Sequence, residues 1–149
     1  MKKVDIYLAA DTSFYDAHPR DRIVAHILEM NGKRVTGANI VTRAYGNEAA
    51  LTGLLIALHR LRQEVDVSVH ADSTYLESQI NTGNIYSWQK SGGMRRGDPI
   101  RYHDKWIETI RIINEKCPYR IKCGREVPED SLKMLKISIL EYKKGGFTA

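Results

Sequence analysis

Two aspartates follow strand patterns in the sequence, where their carboxylates are placed to do chemistry. In residues 4–11 an apolar side chain recurs at every second position, the period of two typical of a strand, and Asp11 ends this pattern. Asp72 directly follows a second short strand pattern, 65–71. Aspartate carboxylates offer the oxygen ligands that hard cations such as Mg²⁺ need. The structural alternative for Asp72 is the N-cap of a helix that starts at Ser73.

A basic segment later in the chain has the composition of a surface that binds polyanions. Between positions 88 and 105, five basic residues outnumber two acidic ones and are interleaved with Trp88 and Tyr102. Basic side chains neutralise phosphates, and aromatic rings stack on sugars or bases. The candidate contacts in this segment are Trp88, Lys90, Arg95, Arg96 and Arg101. The alternative is a solvated basic loop that has no partner.

The remaining potential metal ligands do not form a recognisable site. Cys117 and Cys123 lie six positions apart, without the paired spacing of a zinc site and too few for a disulfide framework, so we interpret both as structural or free thiols. The five histidines show no metal-ligand spacing. His103, beside the basic segment, is the one histidine with a candidate role, and a structural role is its alternative.

Composition predicts one globular domain over residues 1–149. The chain is 42% hydrophobic and 28% charged, and no apolar run approaches the roughly 20 residues of a membrane helix. The first residues pass directly into a strand pattern without the apolar stretch of a secretory signal, so we expect a cytoplasmic protein and no membrane contact. The net charge of +5 is compatible with a polyanionic partner.

The periodicity predicts three strands, then helices alternating with two further strands. A strand pair, 23–30 and 34–42, surrounds the hairpin signal Asn31-Gly32. A helix with one buried face follows over 47–62, with Asn47 as its N-cap, and the strand at 65–71 comes next. The later predicted elements are helices at 73–80, 84–90, 102–116 and 128–142, a glycine-rich loop at 92–97, a strand at 119–123 and a flexible tail at 143–149.

This order and several local strings resemble type 1 ribonuclease H over roughly residues 4 to 130. ADSTYL at 71–76 is similar to the family's TDSQYV, and ADTS at 10–13 is similar to its TDGS. GNEAALTGLLIALHRL at 46–61 is similar to the family's NNRAELMAAIVALEAL. NIYSWQKSGG and DPIRYHDKW resemble the helix and basic loop of members that have a substrate-gripping protrusion. The resemblance implies an α/β fold of the ribonuclease H-like class, with a five-stranded mixed sheet flanked by helices.

The resemblance also implies a carboxylate site for two divalent metal ions that hydrolyse the RNA strand of an RNA–DNA hybrid. Asp11 matches the first carboxylate, although a register without a gap puts Ala9 there, and Asp72 matches the third. Asp11 and Asp72 are therefore the predicted metal ligands, for Mg²⁺ or Mn²⁺, and the predicted catalytic residues. Asn47 matches a family asparagine at the start of the first helix, which implies a minor-groove contact.

The other two carboxylates of the family have no direct counterpart. Ala50 stands at the second, and Glu48, two residues earlier, is separated from it by about 200° around the helix. We retain Glu48 as a candidate catalytic residue, with a first-turn acid on the helix dipole as its alternative. The fourth carboxylate aligns near Lys133 or Met134, whereas the acids at that helix start are Glu129 and Asp130.

These observations lead to three hypotheses. The first is a nucleic-acid-binding protein for RNA–DNA hybrids or related duplexes, with metal-dependent hydrolysis weak or lost and no required cofactor. The second is an active Mg²⁺- or Mn²⁺-dependent ribonuclease H whose rearranged carboxylates include Asp11, Asp72, Glu48 and one of Asp16, Glu129 and Asp130. The third is a protein-interaction scaffold, because a fold by itself does not determine a function.

Overall fold

The computed structural model describes residues 1–146, in which strands and helices alternate along the chain. The elements are β1 (Lys3–Ala10), β2 (Arg20–Met30), β3 (Lys33–Ala44), α1 (Gly46–His59), β4 (Asp66–Ala71), α2 (Thr74–Asn81), α3 (Asn84–Ser91), β5 (Met94–Arg95), β6 (Asp98–Pro99), α4 (His103–Lys116), β7 (Lys122–Gly124) and α5 (Glu129–Glu141), followed by a π-helical turn at Tyr142–Gly146. Among residues 1–146, no helix combines the length and the apolar composition needed to cross a membrane.

Five strands form one mixed sheet in the order β3-β2-β1-β4-β7. β1 pairs antiparallel with β2, and β2 pairs antiparallel with β3 around the predicted Asn31-Gly32 turn. On its other side β1 pairs parallel with β4, and β4 pairs parallel with β7. Three antiparallel strands followed by parallel ones, flanked by helices, confirm the predicted α/β fold class. The prediction of a single domain over the whole chain stays a prediction.

The alternation of β1 divides the core between the two faces of the sheet. Ile6 and Leu8 are fully buried in the larger cluster, which includes α1 and α4. Tyr7 points to the opposite face and packs with Leu135 and Ile139 of α5. Burial of each such apolar side chain stabilises the fold by about 1.5–3 kcal/mol. The sheet is thereby held between α5 and the layer of α1 and α4, and its strand ends stay open at the edge where Asp11 lies.

The prediction of Asn47 as the N-cap of α1 is wrong, because the helix starts one residue earlier. Tyr45 is the N-cap, and Asn47 is the second residue of the helix. The N–H of Gly46 donates to the Asp16 carbonyl over 2.9 Å. A Cβ at Gly46 would lie 2.2 Å from the carbonyl oxygen of Phe14. The loop after β1 therefore packs directly on the helix start, which only a glycine permits there.

The glycine-rich segment, predicted as a loop, contains a small hairpin. Met94 pairs with Pro99 and Arg95 with Asp98, which makes β5 and β6 two antiparallel strands. Arg96 and Gly97 connect them with φ values of 51° and 86°. Positive φ at both central residues is the requirement of a type I′ turn, the connection that matches the twist of a hairpin. We call residues 94–99 the basic hairpin.

The C-terminal elements differ modestly from their predicted bounds. The last strand, β7, covers Lys122–Gly124 rather than 119–123. Of the tail predicted as flexible at 143–149, the residues up to Gly146 belong to the π-helical turn, and 147–149 lie outside the described residues. Cys117 and Cys123 are buried free thiols, and burial raises the pKa of Cys117 to about 11 and that of Cys123 to about 12.

A histidine is enclosed between β2, β3 and the end of α1. His26 is 3% exposed, and its Nε2 accepts a hydrogen bond from Nη1 of Arg60 over 3.0 Å. The same Nη1 donates to the Thr36 carbonyl over 3.1 Å. Burial, followed by the charge of Arg60, lowers the pKa of His26 to about 4. A proton on this ring would be buried beside a cation, so the fold requires neutral His26.

The fold should therefore lose stability in mild acid. The unfolded chain binds a proton at His26 near pH 6.5, whereas the folded chain does so only near about 4. The stabilising contribution is present above pH 6.5 and is lost as the pH falls towards 4, by up to about 1.4 kcal/mol per pH unit. Urea unfolding at about pH 7 and about pH 5 measures this loss. His26→Gln, which cannot titrate, should lose less stability over this interval, and an equal loss would contradict the assignment.

Candidate functional site

The ends of β1 and β4 border a pocket that contains both predicted aspartates. Asp11 and Asp72 line a cavity of about 440 Å³ together with Arg125, which precedes α5. The side of the cavity that belongs to α5 and its approach is apolar, formed by Val127 and Leu132. We call this cavity the aspartate pocket. The structure thus places Asp11 and Asp72 on one cavity and adds a cation that the sequence did not indicate.

Asp11 is held by backbone groups and by a lysine from the end of the chain. Its N–H donates to the Ile23 carbonyl, and its Oδ1 accepts from the Ile23 N–H, both over 3.0 Å. The other oxygen, Oδ2, lies 3.7 Å from Nζ of Lys143 in the π-helical turn. An ammonium group therefore stands beside the oxygen that a metal ion would need.

Asp72 does not cap α2, because the adjacent serine does so. Ser73 is the N-cap of α2, and its Oγ accepts from the Leu76 N–H over 3.1 Å. The structural alternative for Asp72, the N-cap, is therefore wrong. Asp72 Oδ1 instead accepts a hydrogen bond of 2.9 Å from the hydroxyl of Tyr15.

Arg125 lines the aspartate pocket together with Asp72 and brings a positive charge to it. Its Nε lies 3.5 Å from Oε1 of Glu77. The pKa of Arg125 is raised, first by a hydrogen bond with Tyr15 and then by the negative charge of Glu77, with a smaller contribution from Asp72. Tyr15 therefore links Asp72 to a guanidinium group that stays cationic.

The strand register separates the two aspartates along the sheet. Leu8 of β1 lies opposite Ala71 of β4, so one further step places Ala9 beside Asp72. Asp11 follows two residues later, about 7 Å farther along an extended chain. The residue of the first strand that is level with Asp72 is thus Ala9, which the alternative register without a gap puts at the first carboxylate. The carboxylates of Asp11 and Asp72 therefore do not lie side by side on the paired strands.

The candidate for a replacement carboxylate, Glu48, does not join the pocket. Its Oε2 lies 3.0 Å from Nζ of Lys105 on α4, which also donates to Oγ1 of Thr52 over 2.9 Å. Ala50 is fully buried in the larger core cluster and offers no ligand. Glu48 therefore forms an ion pair that connects α1 to α4, and it does not line the aspartate pocket.

Two of the remaining candidate acids also have partners elsewhere. Asp16 Oδ2 contacts Arg20 over 3.1 Å and Arg22 over 3.4 Å. Its pKa is lowered, first by the hydrogen bond from the His18 N–H. Asp130 contacts Arg34 over 3.1 Å, and this hydrogen bond lowers its pKa. Within residues 1–146 no group of three or more histidine, cysteine or acidic side chains is arranged to hold a metal ion.

The aspartate pocket does not fit the two-metal centre that the resemblance implies. Two divalent ions need several oxygen ligands from the protein, and the pocket offers two carboxylates. One of these faces an ammonium group and the other a hydroxyl group. The described residues therefore provide internal partners for Asp11 and Asp72 in positions where a metal centre would require open coordination sites.

Removal of the lysine should make Asp11 more accessible to a cation. A partly exposed ion pair is worth up to about 1 kcal/mol, so Lys143→Ala should raise a weak Mn²⁺ affinity by up to about fivefold. Electron paramagnetic resonance of free Mn²⁺ measures this affinity. Lys144→Ala is the matched control, because it removes a neighbouring exposed lysine. If Lys143→Ala and Lys144→Ala bind Mn²⁺ equally, Lys143 does not compete for Asp11.

A buried arginine that periodicity did not reveal organises the loop beside the pocket. Arg22 is 1% exposed. Its Nε donates to the Ala44 carbonyl over 2.7 Å, and its Nη1 donates to the hydroxyl of Thr12. Nη2 contacts Asp16, which balances the buried charge. Only a guanidinium group reaches all these acceptors at once, so Arg22 fixes the chain that leads away from Asp11.

The basic hairpin and its neighbours form a second site. Trp88, Arg95 and Arg101 line a groove of about 500 Å³ between α2, α3 and the hairpin. We call it the hairpin groove. Lys90 and Arg96 are exposed outside its lining, with Arg96 in the turn of the hairpin. In the described part of the chain, Lys90, Arg95, Arg96 and Arg101 form no ion pair with a carboxylate.

Aromatic rings support the cations of the hairpin groove. Trp88 is half-buried against Trp106, with ring centroids 5.3 Å apart. The guanidinium of Arg101 lies 5.6 Å from the ring centroid of Tyr45 and 5.4 Å from that of Tyr102. Arg101 therefore lies beside rings from the start of α1 and the start of α4. Asn47, the predicted minor-groove contact, is half-buried in the first turn of α1, two residues after Tyr45.

His103 lies at the base of the hairpin, with both ring nitrogens facing hydrogen-bond acceptors. One ring nitrogen, Nδ1, faces the Asp104 carboxylate over 3.1 Å, and Nε2 faces the Gly92 carbonyl over 3.0 Å. Both partners only accept hydrogen bonds, so the doubly protonated ring satisfies both contacts. The hydrogen bond to Asp104, and then that to Gly92, raises the pKa of His103. The ring ties the start of α4 to the segment before the hairpin.

The chain is similar in sequence to curated proteins named ribonuclease H. The chain is 28% identical to the ribonuclease H of a Chelativorans species, over all of this chain and 94% of that protein. It is 28% identical to ribonuclease HI of Pasteurella multocida over 55% of this chain, a match that spans 65% of that protein, slightly less than two thirds. No protein-family model matches the chain.

Comparison with solved structures points to the same fold. The crystal structure of LC9-RNase H1, a type 1 RNase H with the type 2 active-site motif, superposes with a TM-score of 0.67 at 14% identity, covering 97% of this chain and 74% of that one. A foamy viral protease-reverse transcriptase in complex with an RNA/DNA hybrid superposes with a TM-score of 0.60 at 13% identity, covering 99% of this chain and 20% of that one. Identities this low establish the fold alone.

Proposed function

We propose that this chain, which belongs to the ribonuclease H-like superfamily as a divergent member, binds RNA–DNA hybrids or related duplexes and hydrolyses them weakly or not at all. The observation that carries this proposal is the contrast between its two sites. The hairpin groove is lined by basic and aromatic side chains, whereas the aspartate pocket lacks two of the family's carboxylates.

The hairpin groove supports the binding part of the proposal. Arg95 and Arg101 line it, and they have no carboxylate partner in the described part of the chain. Unpaired cations of this kind neutralise phosphates, while a ring such as Trp88 stacks on a sugar or base. One solved protein of the same fold holds an RNA/DNA hybrid, which supports a nucleic-acid partner here. The choice of hybrid over another duplex belongs to the proposal, as does a cytoplasmic location.

The aspartate pocket supports the loss of hydrolysis. Two-metal hydrolysis depends on ions that activate water and stabilise the leaving oxygen, effects worth several kcal/mol each. In this chain Lys143 lies beside Asp11, and the Tyr15 hydroxyl donates a hydrogen bond to an oxygen of Asp72. These contacts lower the tendency of the two carboxylates to hold metal ions, so the charge on a bound phosphate stays uncompensated.

Binding and cleavage measured side by side test the proposal. The purified chain is mixed with a labelled RNA–DNA hybrid, a DNA duplex and an RNA duplex, first with Mg²⁺ and then with Mn²⁺. We expect salt-dependent binding and no cleavage above that of an Asp11→Asn and Asp72→Asn double variant. Cleavage that disappears in this variant would establish the alternative of an active enzyme. Absence of binding to every nucleic acid would favour the protein-interaction scaffold.

A further inference from the structure

A second groove lies at the end of the sheet where α1 finishes. The β2–β3 hairpin extends beside the last residue of α1, His59, and the following chain, 60–65, forms the opposite wall. Between them is a cavity of about 920 Å³, and its lining shares no residue with the aspartate pocket or with the hairpin groove. We call this cavity the distal groove.

The floor of the distal groove is aliphatic and partly open to solvent. Leu28 and Met30 of β2 and Leu61 after α1 are only partly buried, although they pack against the larger core cluster. Val35 of β3 is 46% exposed. The exposed parts of these side chains leave apolar surface in contact with water, which favours a partner that brings its own apolar side chains.

The rim of the distal groove is basic. Lys2, Lys33, Arg60 and Arg62 line it, and no aspartate or glutamate does. These four cations form no ion pair with a carboxylate within residues 1–146. Unneutralised cations around an apolar floor are complementary to a segment that carries both carboxylates and apolar side chains.

The lining favours a peptide over a nucleic acid. No tyrosine, tryptophan or phenylalanine lines the distal groove, so it has no ring of the kind on which bases stack. β3 is also an edge strand, paired only with β2 among the described strands. Its outer edge therefore presents backbone groups that an extended peptide can bind.

We propose that the distal groove binds an acidic peptide segment with apolar side chains, supplied by a partner protein. The cations around the rim hold its carboxylates, and Leu28, Met30 and Val35 contact its apolar residues. This site is separate from the proposed nucleic-acid surface, so the chain can hold a partner protein and a duplex at the same time. The two proposals stand or fall independently.

Fluorescence anisotropy with a defined probe tests the distal groove. The probe is a short labelled peptide of several aspartates followed by leucine, isoleucine and phenylalanine, and a second peptide carries lysines in place of the aspartates. We expect micromolar binding of the acidic peptide only, weakening as salt is raised. Lys33→Glu together with Arg62→Glu should lower this affinity by roughly tenfold or more. Arg60 is left unchanged because it contacts His26.

A matched variant separates the groove from overall charge. Lys136→Glu together with Lys144→Glu changes the net charge equally on exposed residues that do not line the groove, and should bind the peptide like the wild type. Equal affinity of the two double variants would overturn the proposal. So would displacement of the peptide by phosphatidylserine vesicles or by an RNA–DNA hybrid, which would assign the groove to a lipid or a nucleic acid. Circular dichroism and thermal unfolding confirm that each variant folds.

Discussion

Replacement of Arg95 and Arg96 by alanine should reduce the affinity for an RNA–DNA hybrid by roughly tenfold to a hundredfold. Both side chains are exposed on the basic hairpin, and neither is paired with a carboxylate in the described part of the chain. Each arginine that contacts a phosphate releases about one counterion on binding, so the slope of log affinity against log salt should fall by about two. Electrophoretic mobility shift or anisotropy titrations over a range of salt concentrations measure both quantities.

The control for the hairpin variant keeps the number of removed charges constant. Lys136→Ala together with Lys144→Ala removes two exposed cations outside the hairpin groove and should leave the salt slope nearly unchanged. If both double variants reduce affinity equally, binding is a property of the net charge of +5 and not of the hairpin. A hairpin variant with wild-type affinity would remove the basis for this surface as the nucleic-acid interface.

Ala50→Glu should destabilise the protein severely and should not restore hydrolysis. Ala50 is fully buried within the larger core cluster and does not line the aspartate pocket. A carboxylate at this position would lose its hydration without a cationic partner, which costs about 3 kcal/mol or more. Urea unfolding measures the loss of stability, and incubation with a hybrid and Mg²⁺ measures hydrolysis.

Ala50→Met distinguishes charge from size in this experiment. Methionine overfills the same space without a charge and should cost about 1–3 kcal/mol. The difference between the two variants then reports the buried carboxylate. If Ala50→Glu folds with nearly wild-type stability and cleaves the hybrid, its side chain reaches the aspartate pocket, and a single substitution has separated this chain from an active enzyme.

Local patterns were sufficient for most of the fold. The alternation in β1 placed Ile6 and Tyr7 on opposite faces, as the two core clusters confirm. The Asn31-Gly32 signal correctly predicted the β2–β3 hairpin. The basic hairpin was missed because β5 and β6 have two residues each, too few for a periodic pattern. The N-cap of α1 was predicted at the wrong residue because Gly46 is required by its contact with the loop after β1, which is distant in sequence, and not by the helix itself.

The sequence by itself determined which side chains are available for chemistry. It placed Asp11 and Asp72 after their strands, identified the cations of positions 88–105 and showed that Ala50 cannot bind a metal. These features depend on residue types and on the periods of strands and helices, and the linear sequence contains both kinds of information.

Only the tertiary structure decided which charges those side chains meet. It placed Lys143 beside Asp11, Lys105 beside Glu48 and Tyr15 on Asp72, and it left the distal groove with a basic rim. These partners lie between 57 and 132 positions apart in the sequence, so no local period relates them. An ion pair depends on distance through space, and that distance exists only once the sheet and its helices have assembled.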